Sequence, residues 1–422
     1  MTTRTSSGGT GGSSPLRELE SVVVAGAGQT AAVAARTLRR RGFEGRVTLA
    51  GAEPHVPYQR PPLSKEYLAG EDGRDELYLL TPDWCESNGV ELRLGAAATA
   101  IRPAERSLEL ADGSSLRADA LLIATGGRPR RLPGIEGDRV RYLRTIDDAD
   151  RLRAELRPGA RVVVIGAGFI GCEVASTAID LGAQVTLVEQ AGRPLGHVLG
   201  DLMGDVMAAL LRTGGVDLRT GEKVEGYAET ASGAVVTTSG GASLEADVVV
   251  VGAGMVPNVE AVTGAGIDTA GGIPVDEYCR TSVDGVYAAG DVALQWRPDL
   301  GRRVRAEHFD NANAQGMAAA KNILGGKSAH TAPHWFWSDQ FGRNLQHAGH
   351  CDGADRVVVR GRVEDFDFIA FHLAGGVLRG AFAIDRGGDL AVARQLIGAG
   401  AAPDPDVLRD EDADLTEIFD TL

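Results

Sequence analysis

The chain has 422 residues, 43% of them hydrophobic and only 5% aromatic, with 57 glycines and a formal net charge of −15. That length accommodates two or three domains, and abundant glycine with few aromatics favours an α/β protein with many tight strand-to-helix turns over a β-sandwich. The acidic balance excludes a general nucleic-acid binder, which needs a basic face, and no apolar run reaches the roughly 20 residues that span a bilayer.

Residues 1–14 are rich in Gly, Ser and Thr and contain no apolar stretch of the signal-peptide kind, so they read as a disordered tail, with order beginning near Glu18. Residues 21–53 then run apolar strand, glycine turn, alanine-rich helix, short loop, apolar strand. The turn is GxGxxA, with Gly26, Gly28 and Ala31. The acidic residue expected at the end of the second strand is Glu53; one position earlier would be usual, and Ala52 stands there. Next comes "VPYQRPPLSKEYL", residues 56–68. Three prolines predict a rigid segment that is non-helical as far as Pro62, followed by a lone Lys65. Taken alone, Lys65 reads as a solvated surface lysine.

Residues 119–134, "DALLIATGGRPRRLPG", form a strand running into a Gly/Pro/Arg-rich crossing, which marks a domain boundary. Residues 161–190 then repeat the first unit. Gly166 and Gly168 permit the turn and the approach of a pyrophosphate, and Gly171 lets helix and strand pack closely. The helix N-terminus offers free N–H groups to an anion. Glu189, at the end of the next strand, is placed to accept hydrogen bonds from a ribose 2′-OH and to repel a 2′-phosphate, which favours NADH over NADPH. Arg193, a few residues on, is the one nearby group that could instead accept a 2′-phosphate.

A third element, residues 246–258, begins in the same way but carries Pro257 where a helix would grow, so its GxG reads as a strand end and turn. Residues 307–324 carry a long helix pattern. After it "RVVVRGRV", "DFDFIAFHLAG" and "GVLRGAFAID" read as strands joined by short turns, a separate antiparallel domain ending in an acidic short helix or solvated tail.

One GxGxxG is weak, but two such turns in a duplicated strand–turn–helix unit are strong and imply two dinucleotides. A nicotinamide beside a flavin is the common pairing, which assigns FAD to the first unit and NADH to the second. The four cysteines (Cys85, Cys172, Cys279, Cys351) form no CxxC pair and point to a reducing, cytoplasmic setting. There is no HExxH and no GxSxG, and "GGKS" follows a helix rather than a strand. The eight histidines are dispersed in sequence; His308 sits at a helix start and the others read as surface or satisfied core residues.

The pieces "PYQRPPLSK", "ATGGRPR", "GAGFIGCEVA", "VYAAGDVA" and "WFWSDQ", in this order and spacing, give the chain its resemblance to the FAD- and NADH-dependent ferredoxin reductases of cytochrome P450 and ring-hydroxylating dioxygenase chains, the putidaredoxin reductase and rhodocoxin reductase type. The resemblance covers nearly everything after the tail. It implies two Rossmann-like domains of the glutathione-reductase-like type plus a C-terminal α+β domain. FAD would be bound by residues 15–128 together with 247–324 and NAD by residues 129–246, with residues 330–422 as the C-terminal domain. It further implies that Asp291 of the "AGD" turn, with Val292 beside it, holds the ribityl chain, and that Arg60, Thr125 and Arg128 lie by FAD. Trp337 would border the flavin, and Lys65 would sit beside the isoalloxazine with Glu173 close to it and to the nicotinamide. Phe169, Ile170 and Gly252 join the NAD site. The helix from Glu307 would aim its N-terminus at the flavin pyrimidine.

The implied activity is hydride transfer from NADH to FAD and delivery of single electrons to a [2Fe–2S] ferredoxin, with no metal in the reductase. For an acidic ferredoxin, Arg297, Arg302, Arg303 and Arg305 offer a docking patch, an ordinary solvated loop being the alternative. Two other functions compete. A disulfide or peroxide reductase of the same superfamily would need a cysteine against the flavin, where this chain has "PYQRPPLSK". A redox-sensing protein like apoptosis-inducing factor would use NADH to change its associations.

Overall fold

The computed structural model describes residues 19–421; the proposed tail and the expected start of order near Glu18 fall outside them. The two repeated units form the centres of two five-stranded parallel sheets. In the first, strand Ser21–Ala25 lies between Arg46–Ala50 and Ala120–Ile123, with Val90–Arg93 and Val286–Ala288 at the edges. In the second, strand Arg161–Ile165 lies between Gln184–Glu189 and Val248–Val251, with Asp217–Thr220 and Val140–Arg141 at the edges. The registers repeat as well: Val22 faces Val47 as Val162 faces Val185. Both central strands are covered on two faces, which is why they read as unbroken valine runs rather than as alternation.

Strand Val248–Val251 corrects the boundary drawn at 246/247. It hydrogen-bonds to Arg161–Ile165 in the second sheet, so the chain returns to the first unit only after Gly252. The return then runs through Met255–Pro257, antiparallel to Gly127–Pro129, so Pro257 does end any helix there. The proline segment also departs from the non-helical form expected of it. Pro61–Ser64 is a 3₁₀ turn with proline at its first positions, where an N–H would lack a partner anyway, and Glu66–Ala69 adds one α-helical turn. Lys65 is the joint between the two turns.

Helix Phe309–Ile323 packs along the first-unit helix Gln29–Arg40, and Gln29 Nε2 donates to Asn313 Oδ1 at 2.5 Å. The C-terminal region is a five-stranded antiparallel sheet, ordered Trp335–Gln340, Arg343–Gly349, Val377–Ile384, Asp367–Ala374, Arg356–Arg362, with helix Gly387–Ala399 against it. Its acidic end is not a solvated tail: Leu408, Leu415 and Ile418 are buried in that domain's core. Among the described residues no helix is long and apolar enough to cross a membrane.

Five of the eight histidines, dispersed in sequence, converge in space. His308 stacks on Phe336 and Phe336 on His347 (centroids 4.4 and 5.0 Å apart), while His334 lies 5.3 Å from His350 and 6.5 Å from His330. Burial holds His308 and His330 at about 4 and His347 at about 3.

Candidate functional site

Both glycine turns open into one cavity of about 1820 Å³. A pocket for one small ligand usually measures about 300–1,000 Å³, so this volume suits two large ligands meeting end to end. In the first turn Gly26 (φ +133°) passes so close to the crossing strand that a Cβ would lie 2.1 Å from Ala124 O. In the second, Gly166 (φ +101°) would put a Cβ 2.5 Å from Gly252 O. Gly28 and Gly168 are the N-caps of their helices and bring no side chain to the free N–H groups. Both line the cavity, and a Cβ at Gly28 would meet nothing within 4 Å. Each turn is therefore a bare, amide-lined approach to a helix N-terminus, the surface a pyrophosphate fits.

Three predicted residues do not face the cavity. Ala31 and Val292 are fully buried in hydrophobic cores, and Gly171 presses on the turn itself, where a Cβ would lie 2.0 Å from Gly166 O. The third position of each turn and the residue after Asp291 hold the backbone from behind.

The other predicted residues all line the cavity. Glu53 Oε1 accepts from Arg60 Nη2 (2.6 Å) and its Oε2 from Tyr58 Oη (2.5 Å), so the carboxylate already has partners and orients Arg60. Burial and then the Glu53 carboxylate outweigh the Arg60 charge and push the Tyr58 phenol well up. Thr125 Oγ1 donates to Asn258 O (2.7 Å), tying the two crossing segments. Arg128 stands at the rim, half exposed and paired with Glu260 at 2.6 Å. Asp291 Oδ2 accepts from Arg144 Nη2 at 2.7 Å; nothing in the sequence singled out Arg144. Glu307, His308, Phe309 and Ala312, at the start of the long helix, also reach the cavity. Trp337 makes an edge contact with Phe309 (5.5 Å) and Phe169 one with Phe336 (4.4 Å), which forms an aromatic wall.

At the second turn, both oxygens of Glu189 are fixed by backbone amides, Oε2 by Ala167 N and Oε1 by Ala191 N, each at 2.7 Å. Arg193 is turned away. Its guanidinium meets Asp205 at 2.7 Å and Asp201 at 3.5 Å, and it does not line the cavity. Lys223, Glu222 and Glu225 form the far wall and were missed, because a charged turn between strands carries no local signature.

Between the two halves Lys65 Nζ lies 3.1 Å from Glu173 Oε2. Glu173 is buried on the second turn of the second-unit helix, and its carboxylate also accepts from Ser64 Oγ and, at 2.6 Å, from Ser338 Oγ of the C-terminal sheet. Lys65 is therefore an enclosed, paired cation and not a solvated surface lysine.

The proposed arginine patch is corrected in part. Arg297 is 1% exposed and bonds Asp299, Thr331 O and Ala332 O, so it is a strut between loops. A guanidinium with that many acceptors is better satisfied inside than a sequence count of charges suggests. Arg302 pairs with Asp352 and Arg305 with Glu307, while Arg303 donates to Val275 O. Cysteine chemistry finds no place either: none of Cys85, Cys172, Cys279 and Cys351 lines the cavity, and burial raises all four thiols, Cys279 and Cys351 to about 12.

Residues 20–316 match the pyridine nucleotide-disulphide oxidoreductase family and residues 335–419 the reductase C-terminal family. The chain is 39% identical to the ferredoxin–NAD(+) reductase component of an anthranilate 1,2-dioxygenase system from Burkholderia cepacia, over 92% of this chain and 96% of that protein. It is 37% identical to putidaredoxin reductase from Pseudomonas putida, over 95% and 97%. The solved covalent putidaredoxin reductase–putidaredoxin complex superposes with a TM-score of 0.91 at 36% identity, covering 95% of this chain and 98% of that one.

Proposed function

Because the chain belongs to the pyridine nucleotide-disulphide oxidoreductase family, we propose that it is an NADH-dependent, FAD-containing ferredoxin reductase that passes electrons to a [2Fe–2S] ferredoxin of a P450 or dioxygenase system. The overall reaction takes NADH and two oxidised ferredoxins to NAD⁺, a proton and two reduced ferredoxins. The observation that carries it is the single cavity joining two bare glycine turns, with Lys65 and Glu173 between them. FAD, when bound, supplies the conversion of a two-electron hydride donor into two single-electron deliveries.

The chain's own residues do the binding and orienting. The amides after Gly26 and Gly28 take one pyrophosphate and those after Gly166 and Gly168 the other. Asp291, steadied by Arg144, is an acceptor for a polyol, and Arg60, aimed by Glu53, is a cation for phosphate. Glu189, held by two amides and without a free arginine beside it, selects NADH. Phe169, Phe336, Phe309 and Trp337 exclude water from the junction. Lys65, held in place by its contact with Glu173, directs its ammonium group there.

In this reading residues 19–128 and 253–324 form the FAD domain, residues 129–252 the NAD domain and residues 330–421 the C-terminal domain. The pairing of Val248–Val251 with Arg161–Ile165 supports this placing of the second boundary. Free cysteines, three of the four buried, accord with a cytoplasmic protein. Anaerobic titration of the yellow holoprotein tests the proposal. NADH should bleach the flavin at one equivalent, NADPH should do so far more slowly, and oxidised ferredoxin should restore the colour within turnover times. A reduced form that persists in the presence of ferredoxin would instead favour the NADH-sensing alternative.

A further inference from the structure

The carboxylate of Glu173 joins three parts of the chain. Ser64 and Lys65 come from the proline segment, Glu173 from the second-unit helix, and Ser338 from the first strand of the C-terminal sheet. Ser338 is fully buried, and its hydroxyl both donates to Glu173 Oε1 (2.6 Å) and accepts from Gln340 Nε2 (2.8 Å). Gln340 is 1% exposed. Period-two alternation puts Ser338 and Gln340 on one face of the strand, with Trp337 turned to the other. The turn that follows is docked on the same domain. Phe341 N donates to Ser176 Oγ (2.7 Å), and the Phe341 ring fills the space where a side chain at Gly214 would stand.

A carboxylate accepts along several directions, and which of them remain for Lys65 depends on what occupies the rest. With Oε1 taken by Ser338, Oε2 is the oxygen left to Ser64 and Lys65. Donation from Gln340 to the Ser338 oxygen leaves the Ser338 proton to point at Glu173.

We propose that Ser338 and Gln340 are positioning residues for the Lys65–Glu173 pair, so that the C-terminal domain completes the redox site rather than only covering it. This rests on the reductase reading above. The test compares Ser338→Ala, Ser338→Thr and Gln340→Leu holoproteins with wild type, each with and without Lys65→Met, in anaerobic stopped-flow reduction by NADH and in flavin midpoint potential. Ser338→Ala should slow reduction about tenfold, with FAD content and NADH Kd changed less than about twofold, since it removes one hydrogen bond to a charged group. It should also shift the midpoint potential, whereas Ser338→Thr, which keeps the hydroxyl, should restore both.

The decisive comparison is the Lys65→Met background, where Ser338→Ala should change neither rate nor potential, because two residues acting through one pair are not additive. Equal slowing in both backgrounds, or none in either, overturns the proposal. If Ser338→Ala does not retain FAD, Gln340→Leu carries the same comparison with a smaller effect. A wild-type protein that NADH fails to reduce refutes the reductase reading, and the positioning role with it. A reducible wild type with an additive Ser338→Ala refutes the positioning role alone.

Discussion

Lys65 Nζ and Glu173 Oε2 lie 3.1 Å apart across the junction of two domains, with side chains only 10% and 5% exposed. An ion pair that far from water is stable only when its remaining hydrogen-bonding capacity is met, and here Ser64 and Ser338 meet that of the carboxylate.

Lys65→Met leaves Glu173 buried and charged with hydroxyl donors alone, which costs about 3–5 kcal/mol of stability. Urea unfolding should show that loss, and Lys65→Met/Glu173→Gln should recover most of it. Flavin reduction by NADH should slow at least about tenfold, the equivalent of roughly 1.4 kcal/mol of barrier, while FAD stays bound. Reduction at the wild-type rate would rule out the role given to Lys65.

How far the sequence was readable depended on the range of the interaction. The two strand–turn–helix units, the Pro257 break and the helix Phe309–Ile323 were legible because glycine spacing, proline and apolar runs act within a few residues. Gly26, Gly166 and Glu189 followed from the same local pattern. Arg144 and Ser338 did not, because they reach Asp291 and Glu173 from 147 and 165 positions away. Arg297 misled for the opposite reason: a charge looks exposed in sequence, and only the carbonyls of Thr331 and Ala332 show that it is inside.

Glu189→Gln keeps an acceptor for only one of the Ala167 and Ala191 amides and removes the charge that opposes a 2′-phosphate. The ratio of kcat/KM for NADH to that for NADPH should fall about tenfold or more. Adding Asp205→Asn, which loosens Arg193, should lower it further. A ratio indifferent to both changes would mean that discrimination lies elsewhere in the cavity.

Replacing all four cysteines with serine or alanine, each chosen for its packing, should leave NADH-to-ferredoxin turnover within about twofold, because none borders the cavity. Loss of turnover in a folded, FAD-loaded quadruple variant would revive the disulfide reductase alternative.

Arg297→Ala should destabilise the protein without weakening its use of ferredoxin. The change leaves the carbonyls of Thr331 and Ala332 without their donor, a loss of about 1–3 kcal/mol, while the half-exposed Asp299 carboxylate turns to water. Thermal unfolding should move down while KM for ferredoxin stays put. A raised KM at unchanged stability would return Arg297 to the docking surface.

The buried histidines predict acid lability of a definite sign. Burial depresses His308, His330 and His372 to about 4, His347 to about 3 and His334 to about 2, the last helped by the Arg297 charge. An unfolded chain carries these imidazoles near 6.5, so between about 6.5 and 4 it binds protons that the folded protein does not. Stability is therefore fully present above about pH 6.5 and is lost as pH falls. Each imidazole held near 4 accounts for roughly 3 kcal/mol of that loss. Several such groups act in the same direction, so stability should fall steeply as pH drops below about 6.5. Urea midpoints measured from about pH 8 to 4.5 should be flat down to about 6.5 and then drop steeply. His347→Phe, which keeps the stack on Phe336, should make the drop shallower. A midpoint constant from about pH 7 to 5 would show that these rings take up protons without unfolding, and would refute the buried, neutral cluster.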